Sequence, residues 1–212
     1  DLSSPDLQGV GQRVEGDIVE LTDARDLTAE ADDQDLAPYL RPEPFIESDA
    51  PEILAEATRM LEGVTDPRAR VERLTRRVNA LLDKKPTVSL PSAVEVLRTK
   101  VGDCNEHTAL FVALARAAGI PSRIAVGLVS VRNAFYYHAW PEVYIQEGEG
   151  RGLWLPVDPT FNQFPADATH LRLARGGLDK QAAILPLIGR VTMTILDLEL
   201  AAGSERVLVG QP

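Results

Sequence analysis

The stretch that most constrains this chain is a capped helix start around its only cysteine, Gly102-Asp103-Cys104-Asn105-Glu106-His107, followed by an apolar run from Leu110 to Ile120. Asp103 as N-cap with Glu106 three residues on is the pattern of a capping box, so a helix is predicted to begin at or next to Cys104. Leu110, Phe111, Leu114, Ala117 and Ala118 recur at helical spacing, and Gly119 can end the helix before Pro121. One face of that helix must be buried, which holds the thiol on a rigid element. Backbone N–H groups and the helix dipole favour an anion at a helix start, so the position predicts a depressed thiol pKa. Asp103 and Glu106 oppose this unless a cation offsets them. An imidazolium nearby would do so, and the chain has only three histidines: His107, His138 and His170. The alternative, a cysteine packed as a small hydrophobe, fits its Gly, Asp, Asn, Glu and His neighbours poorly.

The rest of the chain divides into helices before this element and strands after it. Ser48 or Asp49 ahead of Pro51 marks a helix start, with Ile53, Leu54, Ala57, Met60 and Leu61 as its apolar face. Asp66-Pro67 opens a second helix, whose stripe is Val71, Leu74, Val78, Leu81 and Leu82. Its other side carries Arg68, Arg70, Arg73, Arg76 and Arg77, a solvated face rather than a patch for an acidic partner. Ser92 to Glu95 is a second capping box, starting a short helix that ends by Gly102. After Pro121 the texture is that of strands: Arg123 to Val131, Tyr136 to Ile145 and Leu153 to Val157. Helices followed by antiparallel strands predict an α+β fold, the helices packed on an antiparallel sheet. The segment around 168–174 reads ambiguously, and a strand is expected from Arg190 to Leu200, completing or flanking the sheet.

At 212 residues the chain can bury a real core, as one domain with trimmings or two small ones. A single cysteine excludes an internal disulfide framework. No apolar stretch approaches a membrane span and no signal peptide opens the chain; its start at Asp1 is that expected of a mature fragment. The net charge of −10 is concentrated: residues 1–35 hold 11 acidic side chains against Arg13 and Arg25, leaving −1 for the remaining 177 residues. Residues 1–44 are therefore expected to be an acidic extended arm, with a short strand at Val14 to Leu21, or the end of a preceding domain. Such an arm disfavours nucleic acid and anionic membranes.

Gln146-Glu147-Gly148-Glu149-Gly150-Arg151-Gly152 joins two strand-like runs, which predicts an antiparallel hairpin. His138 lies ten residues before Gly148 and Asp158 ten after it. In a hairpin centred on that glycine the two face each other with Cβ atoms about 5 Å apart, within reach of an Asp–imidazole hydrogen bond. A bulge would shift the register and turn one of them away. A carboxylate that orients an imidazole, which in turn meets a thiol, is the arrangement of nucleophilic acyl transfer: the thiolate attacks a carbonyl, the imidazole moves the proton, and the carboxylate stabilises the imidazolium.

Gly102-Asp103-Cys104-Asn105-Glu106 with Ala118-Gly119-Ile120-Pro121-Ser122-Arg123, then Tyr137-His138-Ala139-Trp140-Pro141-Glu142-Val143, then Trp154-Leu155-Pro156-Val157-Asp158-Pro159-Thr160, resemble the bacterial transglutaminase-like family, in the family's order. The resemblance implies a papain-like α+β core over residues 45–165, with Cys104, His138 and Asp158 as the triad, no cofactor, a protein or peptide substrate and an extracytoplasmic location. Residues 166–212 would then be a C-terminal extension. It leaves the substrate open, because the same core serves amide cross-linking enzymes, deamidases, proteases and silent members.

The first functional reading is an enzyme that forms a thioester at Cys104 and passes the acyl group to water or an amine, with hydrolysis of a peptide or side-chain amide preferred. Cross-linking requires water to be kept from the acyl-enzyme, and the aromatics that could wall such a channel, Phe135, Tyr136, Tyr137, Trp140 and Trp154, would equally pack a strand core. Of these, Tyr137, Trp140 and Trp154 are the candidate substrate contacts. A second reading gathers Cys104, His107, His138 and His170 around zinc. The third is a catalytically silent module that grips a peptide in its cleft.

Overall fold

The computed structural model describes residues 5–31, 34–87, 92–132 and 134–177, together with 180, 184, 189–190 and 192–198. The helices form where the sequence caps them. Helix α1 (Pro51–Leu61) starts on a proline and buries Ile53, Ala57, Met60 and Leu61, while Leu54 stays exposed. Helix α2 (Pro67–Leu81) has Asp66 as its N-cap, the carboxylate accepting from the Ala69 N–H, and it buries Val71, Leu74, Thr75 and Val78. Helix α3 (Ala93–Thr99) is capped by Ser92. Helix α4 (Cys104–Ala117) begins on the cysteine, with both halves of the capping box formed: Asp103 accepts from the Asn105 N–H at 3.0 Å and Glu106 from the Asp103 N–H at 3.0 Å. Gly102 makes room for that box, since a Cβ there would lie 2.2 Å from the Glu106 Cβ.

Helix α4 is buried along most of its length, from Glu106 to Arg116. Its apolar side chains join those of α1, α2 and α3 and, from the sheet, Val143, Ile145, Leu153, Leu155 and Val157 in one core. The arginine side of α2 is solvated: Arg76 pairs with Glu72 on its own helix and Arg68 with Glu147, and such exposed pairs add little stability.

The hairpin strands β1 (Gln12–Glu15) and β2 (Ile18–Leu21) pair with each other, and two-residue strands β4 (Asp83–Lys84) and β5 (Val101–Gly102) form a short parallel pair ahead of α4. The main sheet is antiparallel, built from β3 (Glu30–Ala31), β6 (Ser122–Val131), β7 (Ala134–Gln146), β8 (Arg151–Pro156) and β9 (His170–Arg175) in the order β3-β8-β7-β6-β9. This is the α+β architecture that the order of helical and strand patterns predicts, with α4 packed on the sheet.

Two regions differ from expectation. The acidic segment is docked, and its predicted single strand is the β1–β2 hairpin turning at Gly16. Strand β3 adds to the β8 edge, and Arg172 on β9 donates to the carbonyls of Asp6, Gln8 and Gly9 at 2.9, 2.9 and 2.8 Å. Those arginine bonds are long-range partners that no local pattern reveals. At the other end, 192–198 form neither helix nor strand, and the remainder of the strand expected from Arg190 to Leu200 falls largely outside the described residues. The strand that flanks the sheet is β9, in the segment that read ambiguously. No helix among the described residues is long and apolar enough to cross a membrane.

Candidate active site

The site forms where β7 loses its strand neighbour. Strand β8 pairs with β7 only from Glu142 to Gln146, leaving the first half of β7 open on that side. Helix α4 fills the gap. The Thr108 hydroxyl donates to the Ala139 carbonyl at 3.0 Å, and the Ala139 N–H reaches the Cys104 thiol one helical turn earlier. A strand residue sends its N–H and C=O to the same side, so Ala139 serves both. Cys104 is thereby held beside the residue that follows His138.

His138 is buried, and its Nε2 lies 2.7 Å from Asp158 Oδ2. The pair meets, but not in the predicted register. The hairpin centres on Glu149, with Tyr144 opposite Trp154 and Gln146 opposite Gly152, so Asp158 is not the direct partner of His138. Beyond Pro156 the chain leaves the ladder and folds into a turn closed by the Asp158–Gln163 bridge, which swings the carboxylate diagonally onto the imidazole. An offset of two residues preserves the side-chain face, where an offset of one would have reversed it.

Asp158 is fully buried and has every acceptor position used. Its Oδ1 accepts the backbone N–H groups of Thr160 at 2.6 Å and Phe161 at 2.9 Å; its Oδ2 faces His138 and also His170 Nε2 at 3.1 Å. Burial works against the charge, yet the bonds from His138 and His170 outweigh it and hold the carboxyl well below the usual carboxylate range. Phe161 stacks on the His138 ring, centroids 4.9 Å apart, with 45% of its own surface exposed. It covers the imidazole on the solvent side. With Nε2 committed to Asp158, Nδ1 is the ring nitrogen of His138 turned away from that carboxylate.

The thiol departs from expectation. Burial pushes Cys104 up to about 12, the Ala139 N–H opposes this, and Asp103, Asp158 and Glu106 add to the rise. Desolvation and three carboxylates outweigh the helix start, and the resting group is a thiol rather than a thiolate. Asp103 and Glu106 interact strongly: burial and the hydrogen bond with Glu106 push Asp103 up to about 6, and Thr87 donates its hydroxyl to Glu106. Tyr137 donates to Asn105 Oδ1 at 3.1 Å across the α4–β7 seam.

Two of the expected substrate contacts are corrected. Trp140 is 2% exposed and packs edge-on against His170 with ring centroids 5.1 Å apart. Trp154 is 8% exposed beneath Arg123, whose guanidinium carbon lies 3.8 Å from its ring centre. Neither offers a surface to a substrate, because both serve as packing. Tyr137 is half-buried beside the thiol. The zinc set also fails to converge: His107 turns Nδ1 to the Asp103 carbonyl at 2.6 Å, and both remaining imidazoles turn to Asp158. Sequence reasoning gave His170 no part in the triad, although His170-Leu171-Arg172-Leu173 alternates polar and apolar as a strand does. It missed Phe161 as well, for which no local signal exists.

A buried imidazole–carboxylate pair on a strand, one residue from the Ala139 N–H that faces a thiol at the start of a helix packed on the sheet, is the framework of a papain-like cysteine enzyme. Residues 55–159, about half of the chain, match the family model of the transglutaminase-like superfamily. Among solved structures, a candidate cysteine protease from Cytophaga hutchinsonii is similar with a TM-score of 0.57 at 25% identity, over 68% of this chain and 48% of that one. The periplasmic domain of TgpA from Pseudomonas aeruginosa aligns with a TM-score of 0.43 at 28% identity, over 53% of this chain and 43% of that. Red sea bream transglutaminase aligns with a TM-score of 0.39 at 17% identity, over 57% of this chain and 27% of that. This chain thus spans about half the length of the Cytophaga protein. Comparison with curated proteins finds no match.

Proposed function

We propose that the chain cleaves amide bonds through a thioester on Cys104, with water as the preferred acceptor and a primary amine as the other. The observation that carries the reading is the 2.7 Å His138–Asp158 bond set on β7 directly beside the Ala139 N–H that faces the thiol. Because the resting thiol is protonated, attack is coupled to proton transfer: His138 Nδ1 takes the thiol proton as sulfur bonds to the carbonyl carbon. The same proton then goes to the departing nitrogen, which leaves as an amine or as ammonia. Water, deprotonated by His138, attacks the thioester and releases the acid and the thiol. Asp158 holds the imidazole in its tautomer and offsets the imidazolium charge. The Cys104 N–H, at the first turn of α4, is the donor assigned to the tetrahedral oxyanion.

The substrate class proposed is a peptide or protein carboxamide, with Tyr137 forming part of its wall and residues 45–165 the catalytic core. The description of the Cytophaga protein as a candidate cysteine protease supports hydrolysis over cross-linking. The test is to incubate the protein and its Cys104→Ala variant with Gln-containing peptide libraries, with and without a labelled primary amine, and to follow mass. Cys104-dependent hydrolysis exceeding amine incorporation is expected. Amine incorporation in excess would reverse the order of acceptors, and no Cys104-dependent change on any peptide would favour a silent peptide-binding module.

A further inference from the structure

We propose that His170 is a positioning residue that works as a resident cation on Asp158, extending the Cys104–His138–Asp158 triad to a fourth member. The inference rests on the reading just given, and it begins from a feature that the triad leaves unused: a second imidazole on the same carboxylate oxygen. His170 Nε2 lies 3.1 Å from Asp158 Oδ2, and its Nδ1 lies 3.1 Å from the Asp167 carbonyl and 3.4 Å from Asp167 Oδ1. Every one of these partners is an acceptor, and the Thr169 hydroxyl, 3.4 Å from Nδ1, donates its own hydrogen to Asp167 Oδ1. A neutral imidazole has one N–H and would leave one nitrogen lone pair facing an oxygen; only the doubly protonated ring satisfies both sides.

The surroundings favour that charge. The titratable groups facing His170 are Asp158 after β8, Asp167 in the turn before β9, and His138 on β7, with the Trp140 ring against its edge. Arg172, two residues along β9, is committed to Glu142 and to backbone carbonyls. Burial alone would discharge the ring, but the bonds to Asp158 and Asp167 outweigh it and raise His170 to about 9. The approach of β9 is itself provided for. Gly127 on β6 lies opposite His138, and a Cβ there would meet the Leu171 carbonyl oxygen at 2.0 Å, so only glycine admits the bulge at which β9 settles against β6.

Two consequences follow for the reaction. A donor on each side of Oδ2 locks the carboxylate's orientation, which fixes the tautomer of His138. A positive charge whose ring centre is 5.6 Å from that of His138 also makes a second positive charge there more costly.

The experiment compares wild type with His170→Gln, which retains a donor near the Nε2 position but no charge, and His170→Phe, which has neither. Ring-nitrogen NMR of the whole protein should show both His170 nitrogens protonated at pH 7 in wild type. This readout needs no turnover, so it stands even if the amide-cleaving reading fails. In folded His170→Gln, the acid limb of Cys104-dependent turnover, and of Cys104 alkylation, should move up by about one to two pH units. At pH 7.5 kcat should stay within about tenfold and KM should be unchanged. His170→Phe should lose at least a further tenfold in kcat. A neutral His170 at pH 7 would overturn the proposal, as would an unmoved acid limb in a His170→Gln protein whose circular dichroism and melting are those of wild type.

Discussion

The two walls of the site are built on opposite electrostatic plans. The α4 wall presents the thiol among acids: Asp103 and Glu106 share the capping box, and burial with their charge holds Cys104 up to about 12. The sheet wall presents one buried carboxylate surrounded by donors, two backbone N–H groups and two imidazoles. The difference teaches where activation must come from. A helix start favours an anion by a fraction of a pH unit to about one, which desolvation and carboxylates readily outweigh, so in the proposed reaction the helix supplies position and the sheet supplies the base.

The largest effect expected is on the sheet wall. Asp158→Asn replaces the acceptor of four hydrogen bonds and allows the wrong His138 tautomer; in a serine triad the equivalent change costs about 10⁴-fold in kcat. Steady-state turnover on the best peptide substrate would measure it. Activity within a few-fold of wild type would mean that the two walls do not divide the work as described.

The pH dependence of stability probes the sheet wall next. His170 is raised above its ordinary value, so its contribution is complete below about 6.5 and is lost as the pH rises through about 9. Asp158 is lowered, so its contribution is present above about 4 and is lost as the pH falls toward its depressed value. Urea midpoints should therefore fall from pH 6.5 to 9.5 in wild type and stay flatter in His170→Gln. An identical alkaline decline in both would place the titrating group elsewhere.

On the helix wall the effects are smaller. Asp103→Asn removes one carboxylate from beside the thiol while keeping a side chain that can cap. Cys104 alkylation should become about threefold to tenfold faster above pH 6, where Asp103 carries its charge, and should be unchanged below it, as rates with iodoacetamide across pH would reveal. The least effect on turnover belongs to His107→Ala. Its ring is buried against the Asp103 carbonyl with no hydrogen-bond partner for Nε2 among the described residues, so kcat should remain within a few-fold while the melting temperature falls. A loss approaching that of Asp158→Asn would bring His107 into the proton path.

Sequence alone determined the elements whose causes are local. The Asp103–Glu106 capping box, the Ser92 N-cap, the proline starts of α1 and α2, the apolar stripe of α4 and the strand runs after Pro121 each arise from residues within a turn or two of one another, and they appear where their patterns lie, although Glu95 turns to Arg98 and leaves the second box half formed. The pairing of His138 with Asp158 was legible too, because a hairpin converts sequence symmetry into proximity and an offset of two keeps the face. Tertiary structure decided the rest. Residues 5–31 are held on the sheet by partners some 120 to 170 positions away, such as Ala29 with Arg151 and Asp6 with Arg175. Trp140 and Trp154 became packing, and His170, beyond the matched 55–159, came to share Asp158. The state of the thiol was decided there as well. A pKa is the sum of desolvation, charges and hydrogen bonds from every side, and a linear sequence names the neighbours along the chain but not those across the fold.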